Sequence, residues 1–216
     1  MTMPELIRNH SLAEEILDGH RDHAHGDEAG YNGYRGHVYR VLNFARALVP
    51  DEQERDDKLA IAAAFHDIDA FTSLNYLAGA IRAQDAWLKE TGRQAWAGEL
   101  AVVIAEHHRF TKYRGNHAPL VEAFRRADRV DVSQGLVRSG IPRTYVSAVR
   151  EAFDVGTFFS RVVRLSCRSA AISRSSSSPG PSASFCRRCG RSSCGLRQRA
   201  QVLLVEQRGP WRTTTS

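Results

Sequence analysis

Wherever apolar positions recur along this chain, they recur at helical spacing. Leu6, Ile7, Leu12, Ile16 and Leu17 keep a rhythm of three to four residues, which predicts one or two short helices from about 5 to 18. Ser11, followed by Glu14 and Glu15, is a candidate N-terminal cap inside that stretch. Tyr31 to Gly36 is punctuated by glycine and asparagine and reads as a loop. His37 to Val49 then carries one apolar stripe (38, 41, 42, 45, 48, 49), a helix closed by Pro50, with His37 in its first turn near the buried face. Asp51-Glu52-Gln53-Glu54 is an acidic start of the kind the helix dipole favours. It leads through Leu59-Ala60-Ile61-Ala62-Ala63-Ala64-Phe65, apolar on all sides, as a central core helix should be. The small alanines there let neighbouring helices come close.

The rest follows the same logic. Asp69 to Leu74 is a loop, and Tyr76 to Glu90 is a helix ended by Thr91-Gly92. Trp96 to His108 is a helix with Leu100, Val103, Ile104 and His107 on one face. A basic, aromatic loop spans Arg109 to Asn116, and Leu120 to Val130 is helical, with Asp128 beside its apolar stripe. Pro142 opens a last amphipathic helix with Tyr145, Val146, Val149 and Phe153. No convincing strand, internal repeat or glycine-rich phosphate loop interrupts the pattern. The expected fold class is all-α for residues 1–160.

Charge divides the chain at that point. Residues 1–160 hold 19 Lys+Arg against 23 Asp+Glu, whereas 161–216 hold 11 Arg, no Lys and the single acid Glu206. All four cysteines (167, 186, 189, 194) lie in the second part, and all nine histidines lie at or before His117. The net charge of +6 therefore describes neither part. Residues 161–216 read as a largely irregular basic, Arg/Ser-rich tail, too polar and too one-signed to offset the entropy of ordering. Cys186, Cys189 and Cys194 lack a nearby fourth ligand, which argues against zinc. Such a tail is what a GC-rich reading frame yields after a frameshift, and that is the preferred explanation. A closing segment would then be missing, leaving Tyr145, Val149 and Phe153 partly uncovered. Arginine without interleaved aromatics gives at best sequence-blind nucleic-acid binding. No stretch of the sequence is long and apolar enough for a membrane span, and Met1 to Leu6 lacks the features of a secretory signal, so a cytoplasmic enzyme is expected.

Candidate chemistry centres on His66-Asp67, where the apolar run stops. An imidazole and a carboxylate are both good ligands for a divalent metal. His37 precedes the pair by 29 positions, and His107-His108 and Asp128 follow it. The run Gly19 to Glu28, with His20, His23 and His25, is either a metal site in its own right or a solvated segment.

The order His, His-Asp, Asp resembles the HD superfamily of metal-dependent phosphohydrolases. The likeness covers roughly residues 5–160 and is carried by Gly36-His37-Val38-Tyr39-Arg40-Val41, Ala64-Phe65-His66-Asp67-Ile68, Ile104-Ala105-Glu106-His107-His108 and Arg126-Ala127-Asp128-Arg129-Val130-Asp131. The resemblance implies an HD-domain helical bundle holding a divalent ion (Mn, Mg, Fe, Co, Ni or Zn) through His37, His66, Asp67 and Asp128. It implies that Asp67 also orients the attacking water, and that the helix bearing His107 closes the cleft. Asp131 lies three residues from Asp128, so on a helix both can face one side. Asp128 is preferred because it follows the alanine at the matching place.

His107 and His108 point about 100° apart on a helix, so only one faces the ion squarely. His107 faces inward, to bind substrate, act as general acid or hold a second metal. Arg109, Lys112 and Arg114, with His108, either clamp phosphate oxygens or form a solvated loop. Asp69 stands where the family often has glycine, as an extra ligand or a charge against anionic substrates. The expected reaction is hydrolysis of a small phosphate ester, a nucleotide among the candidates, by a metal-activated water. The alternatives are an HD-type di-iron oxygenase, or a non-catalytic protein whose basic tail binds nucleic acid.

Overall fold

The long helix α2 (Glu28–Arg46) is the axis of the computed structural model, which describes residues 3–21, 27–70 and 76–156. Asp27 caps its start by accepting a 2.7 Å hydrogen bond from the Gly30 amide, and Glu28 adds a negative charge in the first turn. The helix runs straight through the glycines read as a loop. Gly36 is needed there because a Cβ would lie 1.9 Å from the Asp154 carbonyl oxygen. A Cβ on Gly156 would likewise meet Gly33 Cα at 2.6 Å. The glycines thus mark where the chain after the last helix crosses α2, and they do not break it. Glycine in a helix costs ~0.5–1 kcal/mol against alanine, and the close crossing offsets that. His37 consequently sits in the middle of α2 and not in a first turn.

Six further α-helices are described: α1 (Ser11–Gly19), α3 (Arg55–Phe65), α4 (Tyr76–Glu90), α5 (Ala97–Glu106), α6 (Ala118–Val132) and α7 (Arg143–Ala152). No strand occurs among the described residues, and the fold is all-α. Residues 3–10 are not helical, and α1 begins only at Ser11. Asn43 holds that entry segment in place, its side chain exchanging hydrogen bonds with the Ile7 backbone at 2.9 and 3.0 Å. The acidic run at 51–54 precedes α3 without belonging to it, because Glu54 takes a left-handed φ of 64°. α5 stops at Glu106, and a single 3₁₀ turn (Gln94–Trp96) leads into it.

α3 is the central element the pattern predicts: Leu59 through Phe65 have no exposed surface. It packs on α1, α2, α4 and α5, while α2 lies chiefly against α3 and α6. At roughly 1.5–3 kcal/mol per large apolar side chain buried, Leu59, Ile61 and Phe65 are among its main anchors. The apolar face of α7 is covered. Val149 is fully buried, Phe153 stacks on Tyr39 at 5.3 Å, and the Tyr145 hydroxyl reaches the Asn43 carbonyl at 3.4 Å. The expected uncovered face does not occur, because α2 supplies the surface that closes it. Residues 161–216, most of the loop at 69–74, and His23 and His25 of the histidine-rich run lie outside the described residues. No described helix is long and apolar enough to cross a membrane.

Candidate metal centre

Four helices deliver the predicted ligands to one buried point. His37 comes from the middle of α2, His66 caps the C-terminus of α3, and Asp67 follows in the next turn. His107 caps the C-terminus of α5, and Asp128 lies on α6. All five are buried. The ends of α3 and α5 bring the negative poles of two helix dipoles to the site, which favours a cation.

The ring orientations are settled by the protein itself. His66 Nδ1 meets the Ala63 carbonyl at 2.8 Å and His107 Nδ1 meets the Ile104 carbonyl at 2.7 Å, each reaching back one turn of its own helix. His37 Nδ1 meets Asp131 Oδ2 at 2.7 Å. Each of these oxygens can only accept, so each Nδ1 donates, and in the neutral ring the Nε2 lone pair turns inward. The Nε2 atoms of His37 and His66 lie 3.0 Å apart. Asp67 Oδ2 is 3.9 Å from the first and 3.7 Å from the second, and Asp128 Oδ1 is 3.7 and 3.8 Å away. Ligands ~2.1 Å from a common ion stand about 3.0–3.5 Å from one another, so the set needs only small adjustments to hold one. Asp67 Oδ1, Asp128 Oδ1 and His107 Nε2 are buried without a hydrogen-bond partner, as ligand atoms are before an ion satisfies them.

Three overlapping groups have ligand atoms close enough for shared coordination: His37–His66–Asp128, His66–Asp67–His107 and His107–His108–Asp128. The last places His108 near His107 and Asp128, while neither group that contains His66 includes it. α5 ends at Glu106, and the two rings lie tilted at 42° to each other with centroids 3.8 Å apart. His108 Nε2 also contacts the Tyr76 hydroxyl of α4, a site neighbour that sequence gave no reason to choose.

Electrostatics follow from burial and crowding. Burial pushes the His66 ring down to about 3, with His37 and His107 acting in the same direction, so it is neutral at physiological pH. His108 is likewise lowered to about 3 by burial and the neighbouring His107. Burial would raise Asp67, but the imidazoles of His66 and His107 outweigh it and hold the carboxylate well below its usual range. Asp128 is raised to about 6 by burial, reinforced by the charges of Asp67 and Asp131. Burial would lower His107, yet the adjacent Asp67 raises it.

The remaining candidates are less central. Arg109 is exposed, its guanidinium held by Glu106 at 3.0 Å and the Thr111 hydroxyl at 3.0 Å, and Lys112 and Arg114 are exposed on the same loop. Asp69 joins none of the ligand groups among the described residues, and its carboxylate fills the space a Cβ on Gly79 would take. His20 caps its own turn, with Nδ1 2.9 Å from the Ile16 carbonyl, and packs edge-on to Phe65. Sequence reading set Asp131 aside and did not single out Arg40. The available signal was the matched spacing, His37–Arg40 and Asp128–Asp131, each one helical turn.

Residues 34–133 match the family model described as HD domain. No curated protein and no solved structure matches the chain. The matched segment contains His37, the His66-Asp67 pair, His107 and Asp128, the residues that converge in the fold. Residues 34–133 of this chain are thus an HD domain.

Proposed function

We propose that this protein is a metal-dependent phosphohydrolase acting on a small phosphate ester, with nucleotides among the substrates to test. The observation that carries the reading is the pair of Nε2 atoms 3.0 Å apart with two carboxylates beside them. Two imidazole nitrogens and two carboxylate oxygens converging at this spacing are a donor set that suits one divalent ion. His37, His66, Asp67 and Asp128 would hold the ion. Two neutral imidazoles and two carboxylates bring a divalent ion close to net neutrality. A donor set half imidazole suits Mn, Fe, Co, Ni or Zn better than Mg. When bound, the ion supplies a Lewis acid for a phosphoryl oxygen and makes hydroxide available near neutral pH.

The chain's own residues do the rest. Asp67 carries Oδ1 3.4 Å from His107 Nε2, so a proton can pass along that edge of the site. His107, raised by Asp67, is suited to give a proton to a leaving oxygen. Arg109 begins the loop directly after His108 and offers charge to outer phosphate oxygens. The test is metal content of purified protein together with a screen of phosphate esters under several divalent ions. Full activity in excess chelator would defeat the reading.

A second reading rests on Asp67, whose two oxygens face different groups, Oδ2 toward His37 and His66 and Oδ1 toward His107. With His108 and Asp128 also in reach, the site has ligands for two ions, the requirement of a di-iron oxygenase. Oxygen consumption by iron-loaded protein would favour that chemistry over hydrolysis.

A further inference from the structure

We propose that Asp131 and Arg40 are a positioning pair that fixes the tautomer of His37 and ties this ligand to the turn after α7. The proposal rests on the metal-centre reading above and extends it to residues that touch no substrate. Asp131 and Arg40 are completely buried. Arg40 Nε donates to Asp131 Oδ1 at 2.7 Å and Nη2 donates to Oδ2 at 3.1 Å, a two-pronged pairing. Oδ2 also accepts from His37 Nδ1 at 2.7 Å. The remaining Arg40 nitrogen, Nη1, donates to the Asp154 carbonyl at 2.5 Å and the Phe153 carbonyl at 3.5 Å.

Each link has a defined task. Asp131 can only accept while ionised, so it forces the proton of a neutral His37 onto Nδ1 and presents Nε2 to the ion. A carboxylate in that place also strengthens the ring as a donor ligand. Arg40 balances the buried charge and occupies both oxygens, so the carboxylate cannot rotate away from the ring. The two backbone carbonyls orient the guanidinium in turn, and they are set against α2 by the crossing at Gly36. The turn at Phe153–Asp154 is therefore two hydrogen-bonded residues away from a metal ligand. His66 and His107 lack such an arrangement and rely on backbone carbonyls of their own helices.

The test uses full-length protein labelled with ¹⁵N-histidine and freed of metal at about pH 8. Long-range ¹H–¹⁵N spectra report which nitrogen of His37 carries the proton, and Co²⁺ titration reports affinity. Wild type is expected to show His37 protonated on Nδ1. Asp131→Asn alone removes the carboxylate charge that faces Arg40 and can fail to fold, so the charges are removed together. Arg40→Met with Asp131→Leu is expected to fold, lose the Nδ1–H preference and bind Co²⁺ ~10–100-fold more weakly. Arg40→Met with Asp131→Asn, which restores an accepting oxygen, should recover part of both. An Nε2-protonated His37 in wild type overturns the proposal without recourse to any variant. So does wild-type Co²⁺ affinity in the folded Met/Leu variant, while the metal reading survives. If wild type binds no Co²⁺, the metal reading falls and takes this role with it.

Discussion

Asp67 Oδ1 lies 3.4 Å from His107 Nε2, and both atoms are buried without a hydrogen-bond partner. His107 thus faces Asp67 as an ion pair from outside the set His37, His66, Asp67 and Asp128. Removing His107 should therefore leave an ion on His37, His66, Asp67 and Asp128 while impairing catalysis. His107→Ala is expected to retain at least one metal per chain and to lose turnover by ~10²–10⁴-fold. His66→Ala should lose both metal and activity. Elemental analysis beside steady-state rates checks this, and full metal content in His66→Ala would show the ligand set to be wrong.

Metal binding should depend on pH with a shape that shows whether the ion recruits His107. Asp128 is raised to about 6, so below that pH the ion must displace its proton. Affinity should rise by about tenfold per pH unit up to that point and then level. His66, at about 3, is already neutral and adds nothing to this slope. His107 is raised above the ordinary histidine value, so an ion that recruits it must displace a proton at higher pH as well. Titrations with Co²⁺ from about pH 5 to 8 distinguish the cases. A rise above pH 6 that is present in wild type and lost in His107→Ala indicates use of His107, and identical profiles indicate that the ion does not recruit it.

Gly36→Ala should destabilise the fold although it places a better helix former in a helix. The propensity gain is ~1 kcal/mol at most, whereas the Cβ would sit 1.9 Å from a backbone oxygen that must move with the whole turn at Asp154. Overpacking of this kind costs ~1–3 kcal/mol, and here it also disturbs the carbonyls bonded to Arg40. Denaturant unfolding measures the loss, and a variant more stable than wild type would mean that the crossing is loose.

Much of this architecture was legible in sequence, and what was missed has local causes. Tyr76 to Glu90 forms a helix with the limits its pattern gives, because good helix formers fill it and Gly92, at a φ of 72°, ends it. His66-Asp67 stood out because a polar pair ending an apolar run is accompanied at long range by His37, His107-His108 and Asp128. The glycines of α2 misled because a glycine that admits a crossing chain looks, in sequence, like one that ends a helix. Asp131 was passed over because spacing reports which side of a helix a residue faces and not what it meets there. Arg40 was invisible for the same reason: its partners lie 91 and 114 residues away.

The loop after His108 provides the remaining prediction. Arg109 is held by Glu106 and Thr111, and its guanidinium lies 5.8 Å from the Tyr113 ring centre, so it is placed and not adrift. For a phosphate ester, Arg109→Ala is expected to raise KM with kcat little changed, since the charge binds ground state and transition state alike. One charged hydrogen bond to phosphate is worth ~1.5–3 kcal/mol, about 10- to 150-fold. Solvent exposure places the effect at the lower end, and added salt should shrink it further. Lys112→Ala and Arg114→Ala should each do less, because both are exposed on the same loop and, among the described residues, neither has the anchoring that Glu106 and Thr111 give Arg109. Steady-state kinetics at low and high salt decide the matter. An unchanged KM in Arg109→Ala would assign the loop to solvent, and a fall in kcat at constant KM would place Arg109 in the chemical step.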